Sequence, residues 1–216
     1  MLSQSPLPSV KRIAESSVRR LSLYLRYLED FERLGRTTIS SDELAKCGGT
    51  TSSQVRKDLS LFGSFGKRGL GYAVPALATR LRSILGVGRE WRVIIVGAGK
   101  IGAALAQYRG FRQHGFRLVG LFDVDPERIG QKWAGVTVRD MARFERDLRT
   151  LRPHIAVVTV PAEAAQAVLD RVTRAGIKAV LNFAPAGVQA RDDVTVRNVN
   201  MALELEVLSY ALIHGA

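Results

Sequence analysis

Apolar positions recur at three- and four-residue intervals through residues 9–34, where Val18, Leu21, Leu25, Leu28 and Phe31 mark one face of a helix. Gly35 ends it. Ser40 and Glu43 have the spacing of a capping box, which predicts a second helix from there to about Cys47. Gly48-Gly49 forces a turn, and Thr50 or Thr51 caps a third helix, TSSQVRKDLSLF, whose Val55, Leu59 and Phe62 form a single apolar stripe. Two short helices joined by a glycine-containing turn make a helix-turn-helix. GSFGKRGLGYAV (Gly63–Val74) then reads as a hairpin with Lys67-Arg68 at its tip, the wing of a winged helix. A helix from Pro75 to Leu85 follows, while the first eight residues, with Pro6 and Pro8, read as a loose tail.

The pattern changes after Gly88. Trp91–Val96, Phe116–Phe122, Ile155–Val160 and Lys178–Phe183 are near-continuous apolar runs. Helical segments separate them: one from the GAGKIG turn to about Tyr108, one around 139–151, and one from Pro161 to Ala175. This alternation predicts a Rossmann-type, doubly wound parallel sheet covered on both faces. The last helix, Met201–Ile213, is apolar on most sides and must be buried all round, either on its own sheet or in a partner subunit. The α/β chain therefore divides into a winged helix-turn-helix domain (1–88), a Rossmann domain (89–199) and a C-terminal helix suited to dimerisation (200–216).

Charge sharpens the picture. The net charge is +12, and residues 1–88 carry 14 Lys+Arg against 7 Asp+Glu. An excess of this sign favours a polyanionic partner. On the third helix Ser53, Arg56, Lys57 and Ser60 lie off the apolar stripe, as the residues of a recognition helix do in the DNA major groove. The basic wing tip suits phosphate backbone or minor groove. A solvated polar face is the plainer alternative for each feature taken singly. Cys47 is the one cysteine, which excludes an internal disulfide, a Cys-x-x-Cys redox pair and a multi-cysteine zinc site, and the sequence gives it no role. No apolar run approaches the ~18–20 residues of a membrane span, and the N-terminus has no apolar h-region, so a cytoplasmic protein with no membrane partner is expected.

The GAGKIG turn (Gly97, Ala98, Gly99, Lys100, Ile101, Gly102) follows a strand and opens a helix, and Asp123 stands 21 residues beyond Gly102 at the end of the next strand. Glycine at 97 permits the tight turn, at 99 the approach of backbone to a pyrophosphate, and at 102 the close packing of helix on strand. The helix start offers N–H groups to phosphate. Asp123 is placed to accept hydrogen bonds from ribose hydroxyls and to repel a 2′-phosphate, which favours NADH and NAD+ over their phosphorylated forms. Val160, Pro161, Asn182 and Phe183 end strands on the same edge and are candidate walls for the nicotinamide. No histidine is placed as a general base: His114 and His154 lie in loops and His214 at the C-terminus, so an enzyme is not expected. An NAD-dependent oxidoreductase with an accessory N-terminal domain stays open as the alternative, as does a coenzyme A or nucleotide-binding protein.

QVRKDLSLFGSFGKRGLGY (Gln54–Tyr72), the GAGKIG turn, FDVDPERIG (Phe122–Gly130), GIKAVLNFAP (Gly176–Pro185) and NVNMALELEVLSY (Asn198–Tyr210) together resemble the Rex family of redox-sensing transcriptional repressors. The resemblance spans nearly the whole chain from about residue 17. It implies a homodimer with a swapped terminal helix. It also implies a palindromic operator bound when NADH is low and released when NADH binds, with no metal involved. It further implies that Arg56 and Lys57 contact DNA, that Arg68 enters the minor groove, and that Tyr108 lies near the nicotinamide. Some members pair a first-helix arginine, here Arg26, with that tyrosine and an aspartate before the final helix. The aspartate position is Asn200 in this chain, so an Arg26–Asn200 contact lacks the charge of an ion pair.

Overall fold

The computed structural model describes residues 13–63, 66–67 and 71–215, with backbone alone at 66 and 67. The predicted tail at 1–8 and Arg68 lie outside the described residues. The chain forms two compact units, Met1–Arg89 and Glu90–Ala216.

In the first unit, α1 (Glu15–Arg33) is followed by β1 (Thr38–Ile39), α2 (Ser41–Cys47), α3 (Ser52–Ser60), β2 (Gly66–Lys67), β3 (Gly71–Ala73) and α4 (Val74–Leu85). Residues 13 and 14 are not helical, so α1 starts later than its pattern predicts. Its buried stripe is Leu21, Tyr24, Leu25 and Leu28, while Val18 is 39% exposed. Tyr24, at the three-residue step from Leu21, occupies the core, and Val18 falls at the stripe's margin. This face packs with Ile39, Leu44, Val55, Leu59, Leu77 and Leu81 into one core. The capping box is formed: the Glu43 N–H donates to Ser40 Oγ at 3.1 Å, and the Ser40 N–H donates to Glu43 Oε2 at 3.0 Å. Thr51, rather than Thr50, caps α3. β2 and β3 make the predicted hairpin, with Gly66 opposite Tyr72, and β1, which the sequence pattern does not reveal, pairs with the other edge of β3. Helix-turn-helix and wing are thus both present.

The second unit comprises β4 (Trp91–Val96), α5 (Lys100–Ala106), α6 (Arg109–Gln113), β5 (Phe116–Asp123), β6 (Lys132–Trp133), β7 (Val136–Asp140), α7 (Phe144–Leu151), β8 (Ile155–Val158), α8 (Ala162–Arg174), β9 (Ala179–Asn182), β10 (Thr195–Asn198) and α9 (Met201–His214). The sheet order is β10-β9-β8-β4-β5-β7-β6, parallel throughout except for the short edge strand β6. Numbering the parallel strands in chain order gives the 3-2-1-4-5-6 arrangement of a dinucleotide-binding fold. Two apolar cores cover its faces, one centred on Phe122, Phe144 and Val172, the other on Val93, Ile95 and Leu121. The helix predicted around 139–151 starts later, because residues 136–140 extend as β7 and a 3₁₀ turn (Met141–Arg143) precedes α7. The helix opened by the glycine turn is likewise shorter than expected, ending at Ala106 before the separate α6.

Of the two surfaces open to the last helix, its own sheet is not the one it uses. α9 is not packed on its own sheet: it has no buried residue, and Leu205 and Leu208 are 65% and 59% exposed. The burial its composition demands is not met within the chain.

Candidate functional site

The strand order reverses between β4 and β8, and the crevice beyond their carboxyl ends is where a doubly wound sheet takes its ligand. β4 runs directly into the glycine turn there. Gly97 has φ +101°, and a Cβ on it would stand 2.8 Å from the Thr159 carbonyl. At Gly102 a Cβ would lie 2.0 Å from the Gly97 oxygen, so α5 can sit on the turn only with glycine at that position. Thr159, which sequence reasoning did not single out, donates its hydroxyl to the Gly97 oxygen at 2.6 Å and fixes the turn from the neighbouring strand end. Lys100 and Ile101 are exposed on the first turn of α5, and Ala98 is buried behind it.

Asp123 closes β5 beside this turn and is 6% exposed. Its Oδ2 accepts from the Ala98 N–H at 2.6 Å and from Arg128 at 3.2 Å; its Oδ1 accepts from the N–H groups of Val124 at 2.7 Å and Asp125 at 2.9 Å. Burial opposes the charge, but the N–H groups of Asp125 and Ala98, with Arg128 and the Val124 N–H, outweigh it and hold the carboxyl below its ordinary range. Arg128 is a second residue the sequence pattern did not flag. It bridges Asp123 and Asp125, so a ribose hydroxyl reaching Asp123 Oδ2 competes with its guanidinium.

The other predicted nucleotide residues are distributed unevenly. Val160 and Pro161 follow β8 on the same edge as the glycine turn. Asn182 is buried, and its amide is engaged by the chain itself: it donates to Asn198 Oδ1 at 2.9 Å and to the Ala186 oxygen, and accepts from the Ala184 N–H. It shapes the loop after β9, which carries the half-buried Phe183. Tyr108, between α5 and α6, is exposed and stands edge-on to Phe111 at 5.4 Å. Asn200 is the N-cap of α9: its Oδ1 accepts from the N–H groups of Ala202 and Leu203 at 3.0 and 3.3 Å. The capping role engages the acceptor that an Arg26 contact would use. Arg26 is exposed on α1.

In the first unit Ser53, Arg56, Lys57 and Ser60 all lie on the exposed face of α3. Arg56 donates to Ser41 Oγ at 2.9 Å, which ties the third helix to the start of the second, and Ser60 donates its hydroxyl to the Lys57 oxygen at 2.8 Å. Lys67 is on β2. Behind this face Asp58, also on α3, is 1% exposed and paired with Arg20 of α1. The charge of Asp58 survives burial because Arg20, Gln54 and Ser17 donate to it, and its pKa lies below the ordinary carboxylate value. Burial first, then the Asp58 charge, pushes Tyr24 up to about 12.

These shifts set a pH profile for the first unit. A carboxyl whose folded pKa is depressed stabilises the fold above its unfolded pKa of about 3.9, and loses that contribution as pH falls through the folded value. A phenol whose folded pKa is raised contributes fully below its unfolded value near 10 and loses the contribution as pH climbs toward the folded value. The unit is expected to lose stability below about pH 4 and above about pH 10. Asp58→Asn should flatten the acid arm and Tyr24→Phe the alkaline arm in denaturation curves measured across pH. Unchanged slopes in both variants would contradict the assignment.

Among the described residues no group of three His, Cys, Asp or Glu is arranged to hold a metal. His114, His154 and His214 are exposed, and His154 accepts from the Arg92 N–H. No helix among the described residues is long and apolar enough to cross a membrane.

A winged helix-turn-helix joined to a 3-2-1-4-5-6 sheet with a glycine turn and a strand-end carboxylate defines a DNA-binding regulator with a nucleotide-sensing domain. Comparisons with known proteins narrow the class. Residues 12–60 match the family described as putative DNA-binding protein N-terminus, and residues 88–186 match the CoA binding domain family. The redox-sensing transcriptional repressor Rex of Carboxydothermus hydrogenoformans is 45% identical, over 92% of this chain and 96% of that protein. Rex of Thermus thermophilus is 44% identical, over 94% and 95%. The crystal structure of RSP in complex with β-NAD+ and operator DNA superposes with a TM-score of 0.89 at 40% identity, over 94% of this chain and 93% of that one. The complex of RSP with β-NADH gives 0.85 at 38%. The chain belongs to the Rex family of redox-sensing transcriptional repressors, a regulatory rather than catalytic family.

Proposed function

We propose that this chain is a cytoplasmic repressor that binds a palindromic operator as a homodimer when NADH is low and leaves it when NADH binds. The observation that carries the reading is the joint presence of an exposed Ser53–Arg56–Lys57–Ser60 face and of the Gly97–Gly102 turn beside Asp123 in one chain similar to RSP, which was crystallised with both β-NAD+ and operator DNA. Arg56 and Lys57 enter the major groove, Lys67 and Arg68 approach from the wing, and Ser53 and Ser60 contact the backbone. The nucleotide lies across the glycine turn, with its ribose at Asp123 and its nicotinamide toward Tyr108, Val160, Pro161 and Phe183, and Asn182 holds the loop there. Residues 200–216 act as a dimerisation element swapped between subunits, apart from the winged helix at 1–88 and the sheet at 89–199.

The switch requires NADH to favour the released state over the DNA-bound state. Full reversal from 1:99 to 99:1 needs about 5.5 kcal/mol of preference. An apolar nicotinamide pocket penalises the cationic ring of NAD+ and so gives the preference its sign. Arg26, Tyr108 and Asn200 relay it. With Asn200 capping α9 and carrying no charge, this relay lacks the ion pair of relatives with aspartate there.

Footprinting tests the reading. Two protected half-sites about one helical turn apart are expected, lost on addition of NADH. Asp123→Ala should narrow the gap between NADH and NADPH in that assay by roughly tenfold, since a carboxylate at the ribose repels a 2′-phosphate. Protection of no duplex at all would contradict the reading.

A further inference from the structure

Asp58 is a charged residue that neither the nucleotide site nor the DNA face uses directly, yet it takes more hydrogen bonds than Ser53, Arg56, Lys57 or Ser60 on the exposed face of the same helix. It accepts from Arg20 Nε at 2.6 Å and Arg20 Nη2 at 2.7 Å, from Gln54 at 2.9 Å, from Ser17 Oγ at 3.1 Å and from the Tyr24 hydroxyl at 3.2 Å. Ser17, Arg20 and Tyr24 all belong to α1. Lys57 precedes Asp58 directly, and consecutive helical residues point about 100° apart, so fixing one direction fixes the other. The apolar stripe of α3 cannot do this alone, because hydrophobic contact is non-directional and tolerates a small roll. A two-pronged guanidinium–carboxylate pair sets angle as well as distance. Stability alone does not explain retaining such a pair, since replacing a buried ion pair by well-packed apolar residues is often neutral or stabilising, whereas fixing register is its best-attested use.

We propose that Asp58 and Arg20 are a positioning pair that sets the roll of α3 on α1, and with it the direction in which Arg56 and Lys57 meet the bases. The inference rests on the DNA-binding reading. It has a consequence opposite to simple electrostatics: Asp58→Asn removes a negative charge from a DNA-reading helix, which by charge alone strengthens binding to any duplex.

The test uses the full-length dimer, an operator selected by the wild type from random duplexes, and a random-sequence duplex. Stoichiometric titration gives the active fraction separately from Kd. For Asp58→Asn the operator Kd should rise roughly tenfold or more, the scale of one lost base contact, while the random-duplex Kd holds or falls and NADH affinity holds. Arg20→Lys, which keeps the charge but not the fork, should fall between the two and keeps the test open if Asp58→Asn folds poorly. An operator Kd unchanged in both variants, with only the active fraction reduced, would mean the pair is merely structural and would overturn the proposal. A wild type that selects no DNA would overturn the DNA-binding reading itself, and this proposal with it.

Discussion

Replacing Leu205 and Leu208 together by lysine is expected to yield a folded monomer whose operator affinity is weaker by a hundredfold or more. Both side chains lie on one face of α9, three residues apart, and both are exposed in the single chain. Burying a leucine contributes about 1.5–3 kcal/mol, and a twofold dimer buries each of these twice. The substitution therefore removes a large part of the association free energy and places four ammonium groups in an apolar interface. Binding to two half-sites then loses the effective concentration that the dimer supplies, about 10²–10⁴ in affinity. Because α9 buries no residue in its own chain, both units should keep their thermal transitions. Sedimentation and operator titration would check this. Unfolding of the second unit would mean that α9 packs on its own sheet after all, and a persistent dimer would place the interface elsewhere.

The second large effect is expected at Gly102. A valine there puts its Cβ where only 2.0 Å separates it from the Gly97 oxygen, which is itself pinned by the Thr159 hydroxyl. α5 must move off the turn, and the N–H groups at its start move with it. Overpacking of this kind costs about 1–3 kcal/mol, which a domain of this size can survive. NADH affinity should fall by roughly a hundredfold, since the pyrophosphate contact depends on that turn. Operator binding should persist and become insensitive to NADH. Calorimetric titration with NADH, beside operator binding at fixed salt, would show the split. A Gly102→Val protein that still releases DNA on NADH would mean that the nucleotide lies elsewhere.

Elements with a strong local signature were readable in the sequence. The Ser40–Glu43 box, the Gly97–Gly102 turn and the apolar runs of β4, β5, β8 and β9 carry their geometry in consecutive residues. β1, β6 and β10 do not: they are two to four residues long and are defined by their pairing rather than by an apolar run, β1 and β10 with distant segments, as Thr38 with Ala73, and β6 with the neighbouring β7. The same holds within the site. Asp123 could be found by counting from Gly102, whereas Thr159 and Arg128 act through atoms that only the folded sheet brings to the turn. Asp58 carries no signature within QVRKDLSLF because its partners Ser17, Arg20 and Tyr24 lie on another helix. Val18 falls outside the core and Tyr24 inside it because period alone does not say how wide the buried stripe of α1 is. The all-round apolar surface of α9 is legible in a different way: the sequence demands burial without saying whose surface provides it.

The central claim, that one chain couples operator affinity to the reduction state of its nucleotide, is tested most directly by a fluorescence-anisotropy titration of the purified protein on its operator at fixed salt, with NADH and NAD+ added separately. The account predicts that NADH releases the DNA and that NAD+ at the same concentration leaves it bound. Equal effects of the two nucleotides, or none from either, would contradict it.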